Sequence, residues 1–211
     1  MMDLSAPLTI VLVFFSVICH EIAHGYTAYR LGDPTAYRMG RLTCNPLPHI
    51  DIFGTIILPV LLKIMGSSVL LAWARPVPVD PRYFRRPRTG MMWVSIAGPG
   101  ANLALAAVFA VVAHLLSGFA PVFVPRALAW TALINVVLAV FNLFPVPPLD
   151  GSRIVARFLR GPVLMRYLSL EPYGMFIVFG LLYLGIFSKV ADPALNLAIR
   201  VLDLGRLLSA V

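Results

Sequence analysis

The stretch His20-Glu21-Ile22-Ala23-His24 lies inside a long apolar run from Leu8 to Leu31, and it decides how the rest of the sequence is interpreted. At 1.5 Å per residue, this run is long enough to cross a bilayer as one helix. On a helix, His20 and His24 fall on the same face, one turn apart. Two imidazoles at this spacing suit a zinc ion, and Glu21 is placed to move a proton. The stretch therefore predicts a metal site within a membrane span.

The composition is typical of a membrane protein with several spans. Of the 211 residues, 60% are hydrophobic and only 12% are charged, whereas soluble domains are about 45–50% apolar and about 25% charged. The formal net charge is +8, and most of the arginines lie between apolar runs. The positive-inside rule explains this pattern, so we expect no nucleic-acid partner. Cys19 and Cys44 make no disulfide framework, and the N-terminus lacks the basic start of a cleavable signal peptide.

The hydrophobic pattern predicts one all-α membrane domain, residues 1–211, with about four full transmembrane helices. The predicted spans are 8–31, 91–116, 127–143 and 173–187. We expect a core at 8–160, followed by a C-terminal part at 173–211 whose residues from 192 onward form an amphipathic helix on the membrane or the bundle. A polar, β-tolerant stretch predicts a short strand near 36–43, and we expect a second near 74–79, at the start of a loop on the membrane surface.

A catalytic zinc site needs a third protein ligand. The chain has only two glutamates, Glu21 and Glu171, and the positions after His24 do not match the metzincin pattern. Asp150 stands out because it follows a nearly apolar run and three prolines, and an ionisable group at membrane depth is costly. Capping of a helix that starts at 151 is the alternative role for Asp150. The other open candidates are His49, His114, Asp33, Asp51 and Asp80.

Three motifs resemble the signatures of the site-2 protease family of intramembrane zinc metalloproteases. Residues 20–24 match HExxH, residues 98–102 match GPxxN, and residues 142–151 match NxxPxPxLDG. Their order and approximate separations also agree, so the resemblance covers residues 8–160. Residues 41–51 look like the small prokaryotic branch of the family, which lacks PDZ domains.

The resemblance implies one Zn²⁺ per chain, held by His20, His24 and Asp150, with Glu21 as the general base. It also implies that Asn142 holds the substrate or the developing oxyanion. The implied activity is zinc-dependent hydrolysis of peptide bonds in or near transmembrane segments, with a single-span membrane protein as substrate in the lipid bilayer. Three further residues have a possible supporting role, although we favour a structural one for each: Asn102, Asn135 and His49.

The path of residues 52–73 follows from the need to share one zinc site. If this apolar segment crossed the membrane, Asp150 would end on the side opposite His24. A re-entrant hairpin that turns near 66–68 brings them together. It also splits the connecting arginines twelve against one, whereas a full crossing splits them nine against four. The positive-inside rule favours the hairpin, with the N-terminus outside and the site nearer the cytoplasmic face of the cell membrane.

Two other functions and one mode of substrate binding remain open. A metal or ion transporter would also place His and Asp in the membrane, but it needs no Glu21 and usually carries paired repeats, which the sequence lacks. A catalytically inactive family member could act as a binding partner, although the motif residues are intact. An unwound substrate could add as a strand to 36–43 or 74–79, each of which could equally be a surface hairpin.

Overall fold

The structure is a computed structural model and describes residues 4–65 and 74–209. Within those two ranges all regular structure is helical. The α-helices are α1 Ser5–Arg30, α2 Thr35–Arg38, α3 Leu58–Ile64, α4 Pro87–Leu116, α5 Phe123–Asn142, α6 Asp150–Phe158, α7 Gly161–Leu168, α8 Gly174–Tyr183, α9 Ile186–Val201 and α10 Gly205–Ser209. Short 3₁₀ turns lie at Leu47–His49, Pro81–Tyr83 and Glu171–Tyr173, and a π-helical turn at Ile52–Ile57.

Three of these helices, α1, α4 and α5, are long and apolar enough to cross a membrane. The chain from α7 to α9 supplies a fourth crossing only if its two halves, bent by 67°, are counted as one span. Gly185 lies at this break with a φ of 67°, a left-handed conformation that favours glycine. The prediction of an all-α, multi-span protein is confirmed, but the single span predicted at 173–187 is divided between α8 and α9.

The helix α4 runs antiparallel to α1. His24 contacts Val94 near the start of α4, and His20, one turn earlier on α1, contacts Asn102 further along α4. The end of α1 and the start of α4 therefore lie at the same end of the bundle. The chain that connects α1 to α4 therefore starts and finishes on the same side of the bundle.

The helix α5 runs parallel to α1 and forms the centre of the bundle. Thr9 contacts the carbonyl of Ala127, and further along both helices Ser16 contacts Asn135. Small residues let helix backbones approach closely in membrane proteins. The buried face of α5 is rich in them, at Ala127, Ala129, Thr131, Ala132 and Ala139. Because α5 is parallel to α1, its C-terminal end delivers the following loop to the end of α1 that carries His24.

The strands predicted at 36–43 and 74–79 are wrong. The first region begins with the helix α2, and just before it the carboxylate of Asp33 accepts hydrogen bonds from the backbone N–H and the hydroxyl of Thr35, the first residue of that helix. Residues 74–80 form no regular secondary structure, and within the described chain they pair with no strand. Their N–H groups bind a loop carbonyl and two carboxylates instead, so the segment does not offer a regular edge for strand addition.

The re-entrant hairpin predicted at 52–73 is described only in its first part. There the chain forms the π-helical turn Ile52–Ile57 and the helix α3, and it presents apolar side chains such as Ile64 and Met65 to the outside. The predicted turn near 66–68 falls in 66–73, outside the described residues, so the hairpin itself stays a prediction.

Helix α4 holds α6 in place, and residues of α9 and the chain after it pack against α4 and α5. Arg88, at the start of α4, donates hydrogen bonds to the carbonyls of Ala156 and Leu159 at the end of α6. The predicted amphipathic helix at 192–211 begins earlier, as α9, and is followed by the short helix α10. These contacts fix α6, whose first residue is Asp150.

Candidate metal centre

His20, His24 and Asp150 meet at the end of the bundle where α1 ends and α6 begins. Oδ2 of Asp150 lies 3.4 Å from Nε2 of His20 and 3.3 Å from Nε2 of His24. The two Nε2 atoms are 2.9 Å apart. All three potential ligand atoms thus lie within 4.8 Å of one another, and among the described residues they form the group of His, Cys, Asp and Glu that could hold a metal ion.

The second nitrogen of each imidazole is fixed by α4. Nδ1 of His24 lies 2.7 Å from the carbonyl oxygen of Val94, and a carbonyl can only accept, so this Nδ1 carries a proton and donates it. Nδ1 of His20 lies 2.9 Å from Oδ1 of Asn102 and donates in the same way. In the neutral rings, Nε2 then bears a lone pair, as a metal ligand requires.

These three atoms need a cation between them. Two Nε2 lone pairs and a carboxylate oxygen would otherwise repel one another at the distances given above. Oδ2 of Asp150 is also buried and has no hydrogen-bond partner within the described structure. An uncompensated buried carboxylate oxygen is costly. Two imidazole nitrogens and one carboxylate oxygen are a ligand set of catalytic zinc sites, which leave a position open. The residues therefore fit Zn²⁺.

Gly98 allows α4 to approach the two histidines. A Cβ atom at this position would lie 2.5 Å from Cε1 of His20 and 2.5 Å from Nε2 of His24. Any larger residue would have to displace the rings or α4. The close approach brings Val94 and Asn102, on the same helix, within hydrogen-bonding distance of both Nδ1 atoms.

Glu21 follows His20 on α1 and is partly buried. Its Oε2 accepts a hydrogen bond of 2.7 Å from the backbone N–H of Val77, in the irregular segment 74–80. The candidate base thus lies next to the ligand group in sequence, and its carboxylate has a fixed partner in space.

Asn142 and Asn135 lie on α5 and are engaged within the bundle. Nδ2 of Asn142 donates to the carbonyl of Leu138, one turn earlier, so the described contacts do not join Asn142 to the ligand atoms. Asn135 is fully buried, and its Nδ2 donates to Oγ of Ser16 on α1 and to the carbonyl of Thr131. Asn135 therefore makes an interhelical hydrogen bond, which is a structural role of the kind that we favoured for it from the sequence.

Asn102 contacts one of the metal-ligating histidines, whereas from the sequence we favoured a structural role for it. It is fully buried, and its Oδ1 is the acceptor for His20, so it does more than pack one span against another. His49 is also fully buried, but its Nε2 faces the carbonyl of Thr43 and lies outside the ligand group. Of these two supporting candidates, the structure brings only Asn102 to the histidines.

The other candidate ligands have partners elsewhere. Asp33 binds the N–H of Thr35, and Asp51 accepts a hydrogen bond from the N–H of Gly54. Asp80 forms an ion pair with Arg82, whose guanidinium holds the pKa of that carboxyl below its ordinary value through its hydrogen bonds. His114 contacts the carbonyl of Leu202 beyond α9. Asp150 is thus the candidate that meets both histidines.

Sequence reasoning missed several groups around the centre. The carbonyl of Val94 and the N–H of Val77 belong to the backbone, and no residue type marks them. Gly98 is part of the GPxxN motif, and its lack of a side chain was the only sequence signal that another group packs closely against it. Arg41 is 5% exposed and reaches the segment that holds Glu21, but in the sequence it is one basic residue among many.

Comparison with known proteins places this geometry in a family. A model described as Peptidase family M50 matches residues 120–184. The "Putative zinc metalloprotease YwhC" of Bacillus subtilis is 41% identical over 199 residues, which cover 90% of this chain and 86% of that protein. The chain belongs to peptidase family M50.

Other M50 relatives are more distant. The "Putative zinc metalloprotease Rip2" of Mycolicibacterium smegmatis is 30% identical over 202 residues, covering 92% of this chain and 73% of that protein. The "Putative zinc metalloprotease MJ0611" of Methanocaldococcus jannaschii is 27% identical over 152 residues, covering 70% of this chain and 69% of that protein. No solved structure matches the chain.

Membership of family M50 confirms the resemblance to site-2 proteases inferred from the three motifs. With the group of His20, His24 and Asp150, it identifies the chain as a zinc-dependent metalloendopeptidase. Its apolar helices identify a multi-pass membrane protein. Membership of a membrane protease family implies that its substrates are membrane proteins in a lipid environment.

Proposed function

We propose that this M50 peptidase is an intramembrane endopeptidase that cuts single-span membrane proteins in or near their transmembrane segments. The observation that carries the proposal is the convergence of three metal-ligating atoms: those of His20 and His24 on the candidate span α1, and that of Asp150 at the start of α6, with Glu21 beside the first ligand. A site of this kind in a membrane bundle is suited to hydrolysis of a peptide bond that the bilayer otherwise shields.

We assign roles to the ligand group and to Glu21 on chemical grounds. His20 and His24 through Nε2, and Asp150 through Oδ2, would hold the zinc ion. When bound, zinc supplies Lewis-acid chemistry that polarises a carbonyl and makes water a nucleophile near pH 7. The carboxylate of Glu21 takes the proton of the attacking water and returns it to the leaving amine.

Asn142 is proposed to stabilise charge on the scissile carbonyl. Its Nδ2 donates to the carbonyl of Leu138, which already has the backbone N–H partner that α-helical geometry provides. Exchanging this internal bond for one to a substrate oxygen therefore leaves no buried group unpaired. A donor aimed at a developing oxyanion is worth about 10²–10³ in kcat.

The burial of the centre restricts how a substrate reaches it. The side chains of His20, His24 and Asp150 are 9%, 12% and 17% exposed. An intact substrate α-helix is about 10–12 Å across, and its carbonyls are paired internally. It therefore presents no free carbonyl to these buried side chains. We therefore propose that the substrate helix unwinds locally before cleavage.

We further propose that the protein lies in the cell membrane with its N-terminus outside and the metal centre nearer the cytoplasm. The excess of arginines in the connections at that end of the bundle supports this orientation. Accessibility reporters at residues 45 and 80 should label from the cytoplasmic face, and labelling from opposite faces would overturn the orientation.

The decisive experiment compares wild-type protein with Glu21→Gln in membranes. The substitution keeps the size of the side chain but removes its capacity to take a proton. We expect both proteins to contain zinc, and single-span membrane proteins that wild type shortens should accumulate intact with Glu21→Gln. Equal cleavage by both would refute the assigned mechanism. Zinc flux in vesicles, unaffected by Glu21→Gln and without any cleavage by wild type, would indicate a transporter.

A further inference from the structure

The irregular segment 74–80 passes beside α1 and contacts the candidate base. The backbone N–H of Val77 donates a hydrogen bond of 2.7 Å to Oε2 of Glu21. Within the described parts of the chain, this N–H is the hydrogen-bond partner of that carboxylate. A hydrogen bond from an N–H to a charged carboxylate is stronger than one between neutral groups. Glu21 is therefore tied to a segment far from it in sequence.

Buried charges hold this segment on both sides of Val77. Nη2 of Arg41 donates to the carbonyls of Arg75 at 2.7 Å and Pro76 at 3.2 Å. Oδ2 of Asp33 accepts a hydrogen bond of 2.7 Å from the N–H of Asp80. Arg41 is 5% exposed and Asp33 is 0% exposed, and such groups are costly to bury unless their partners are fixed.

The sequence of the segment leaves one donor at its middle. Pro76 and Pro78 flank Val77, have no N–H and restrict φ to about −65°. The N–H of Arg75 is already donated to the carbonyl of His49, at 2.9 Å. The N–H of Val77 is consequently the donor that residues 76–78 can offer to α1.

α1 has a glycine where the segment crosses it. Gly25 lies one helical turn after Glu21, and a Cβ atom there would lie 2.7 Å from Cγ1 of Val77 and 2.6 Å from Cδ2 of Leu42. The absence of a side chain allows the segment to lie against the helix. Val77 therefore packs against α1 at Gly25 in addition to donating its N–H to Glu21.

We propose that segment 74–80 positions the Glu21 carboxylate for catalysis through the N–H of Val77, and that Arg41 and Asp33 are positioning residues that act through this segment. The inference rests on the proposed function in that Glu21 is the base. A free glutamate side chain samples several rotamers, and fixing one removes an entropic cost from the proton-transfer step. The segment should therefore affect kcat and leave the binding of zinc unchanged.

The test compares Val77→Pro with Val77→Ala in the full chain. The proline removes the donor N–H at a position that already has a proline on each side. The alanine keeps the N–H and removes more of the side chain. We expect Val77→Pro to lower kcat about 10- to 100-fold, with KM and zinc content within about twofold of wild type. Val77→Ala should stay within about threefold of wild type in kcat.

Two further measurements separate positioning from folding. In the Glu21→Gln background, Val77→Pro should not lower the residual rate further, because the group that it positions is already absent. Arg41→Ala should lower kcat in the same manner, and Arg41→Lys should recover part of it. These Arg41 variants also decide the matter if Val77→Pro does not fold.

The outcomes that overturn the proposal are distinct. Equal kcat for Val77→Pro and Val77→Ala would remove the hydrogen bond from the mechanism, and so would an additive loss in the Glu21→Gln background. Loss of zinc in Val77→Pro would show that the segment supports the ligands instead of the base. If Glu21→Gln alone cleaves as wild type does, the proposed function fails, whatever the Val77 variants do.

Discussion

Nδ1 of His24 donates a hydrogen bond of 2.7 Å to the carbonyl of Val94, and this contact determines which nitrogen of the ring can bind a metal. Asn102 does the same for His20, one helical turn away. The helix α4 therefore supplies no metal ligand, but it sets the tautomer and the ring orientation of both histidines.

Replacing Asn102 with alanine should weaken zinc binding. The substitution leaves Nδ1–H of His20 without its acceptor, and loss of such a partner typically costs about 10- to 100-fold in metal affinity or activity. Competition with a fluorescent zinc chelator measures the affinity. Asn102→Asp keeps an acceptor oxygen and should bind zinc more tightly than Asn102→Ala. Equal affinities for wild type and Asn102→Ala would contradict the geometry.

Replacing Gly98 with alanine should disrupt the centre, whereas the same change at Gly100 should not. The Cβ at 98 would lie 2.5 Å from Nε2 of His24, while a Cβ at 100 has no atom within 4 Å. Both changes lie on α4 and cost nothing in helix propensity. Zinc content and proteolysis should fall sharply for Gly98→Ala alone. Similar behaviour of the two variants would mean that the close approach is unimportant.

Removal of zinc should destabilise the wild-type protein. A ligand that binds only the folded state at 100 times its Kd contributes about 2.7 kcal/mol. The thermal midpoint in detergent should therefore drop when a chelator is added. Asp150→Ala should lose this zinc dependence, and Asp80→Ala, an aspartate outside the ligand group, should keep it. A chelator effect that persists in Asp150→Ala would exclude Asp150 as a ligand.

Asn135 and Ser16 should be coupled in stability but not in metal binding. Their side chains join α5 to α1 through a hydrogen bond of 2.9 Å. Such bonds in membrane bundles average about 0.6 kcal/mol and reach about 1.7 kcal/mol. A double-mutant cycle of alanine substitutions measures the coupling. If either variant instead lost zinc or kcat at unchanged stability, Asn135 would belong to the substrate cavity.

The ligand group was accessible from the sequence because its signals are carried by side chains. The spacing of His20 and His24 is a helical pattern, and Asp150 is conspicuous as an acid after a long apolar run and three prolines. The directions of α1, α4 and α5 agree with the need to bring these residues to one end.

The contacts made by backbone groups were not accessible in this way. The sequence predicts a strand near 74–79, but the segment's donors are taken by the carboxylates of Glu21 and Asp33 and by a loop carbonyl, which no local pattern reveals. The break at Gly185 was missed for a related reason. A single glycine in an apolar run is tolerated in membrane helices, and only the fold shows that its φ is positive.

The hydrogen bonds from the two histidines to α4 tie the orientation of both imidazoles to the position of α4 along α1. The acceptors Val94 and Asn102 lie on one rigid helix, so they move together along α1. A slide by one residue shifts both by about 1.5 Å, which is enough to break both hydrogen bonds at once. A change of bilayer thickness large enough to shift α4 along α1 would therefore release the orientation of both imidazoles together.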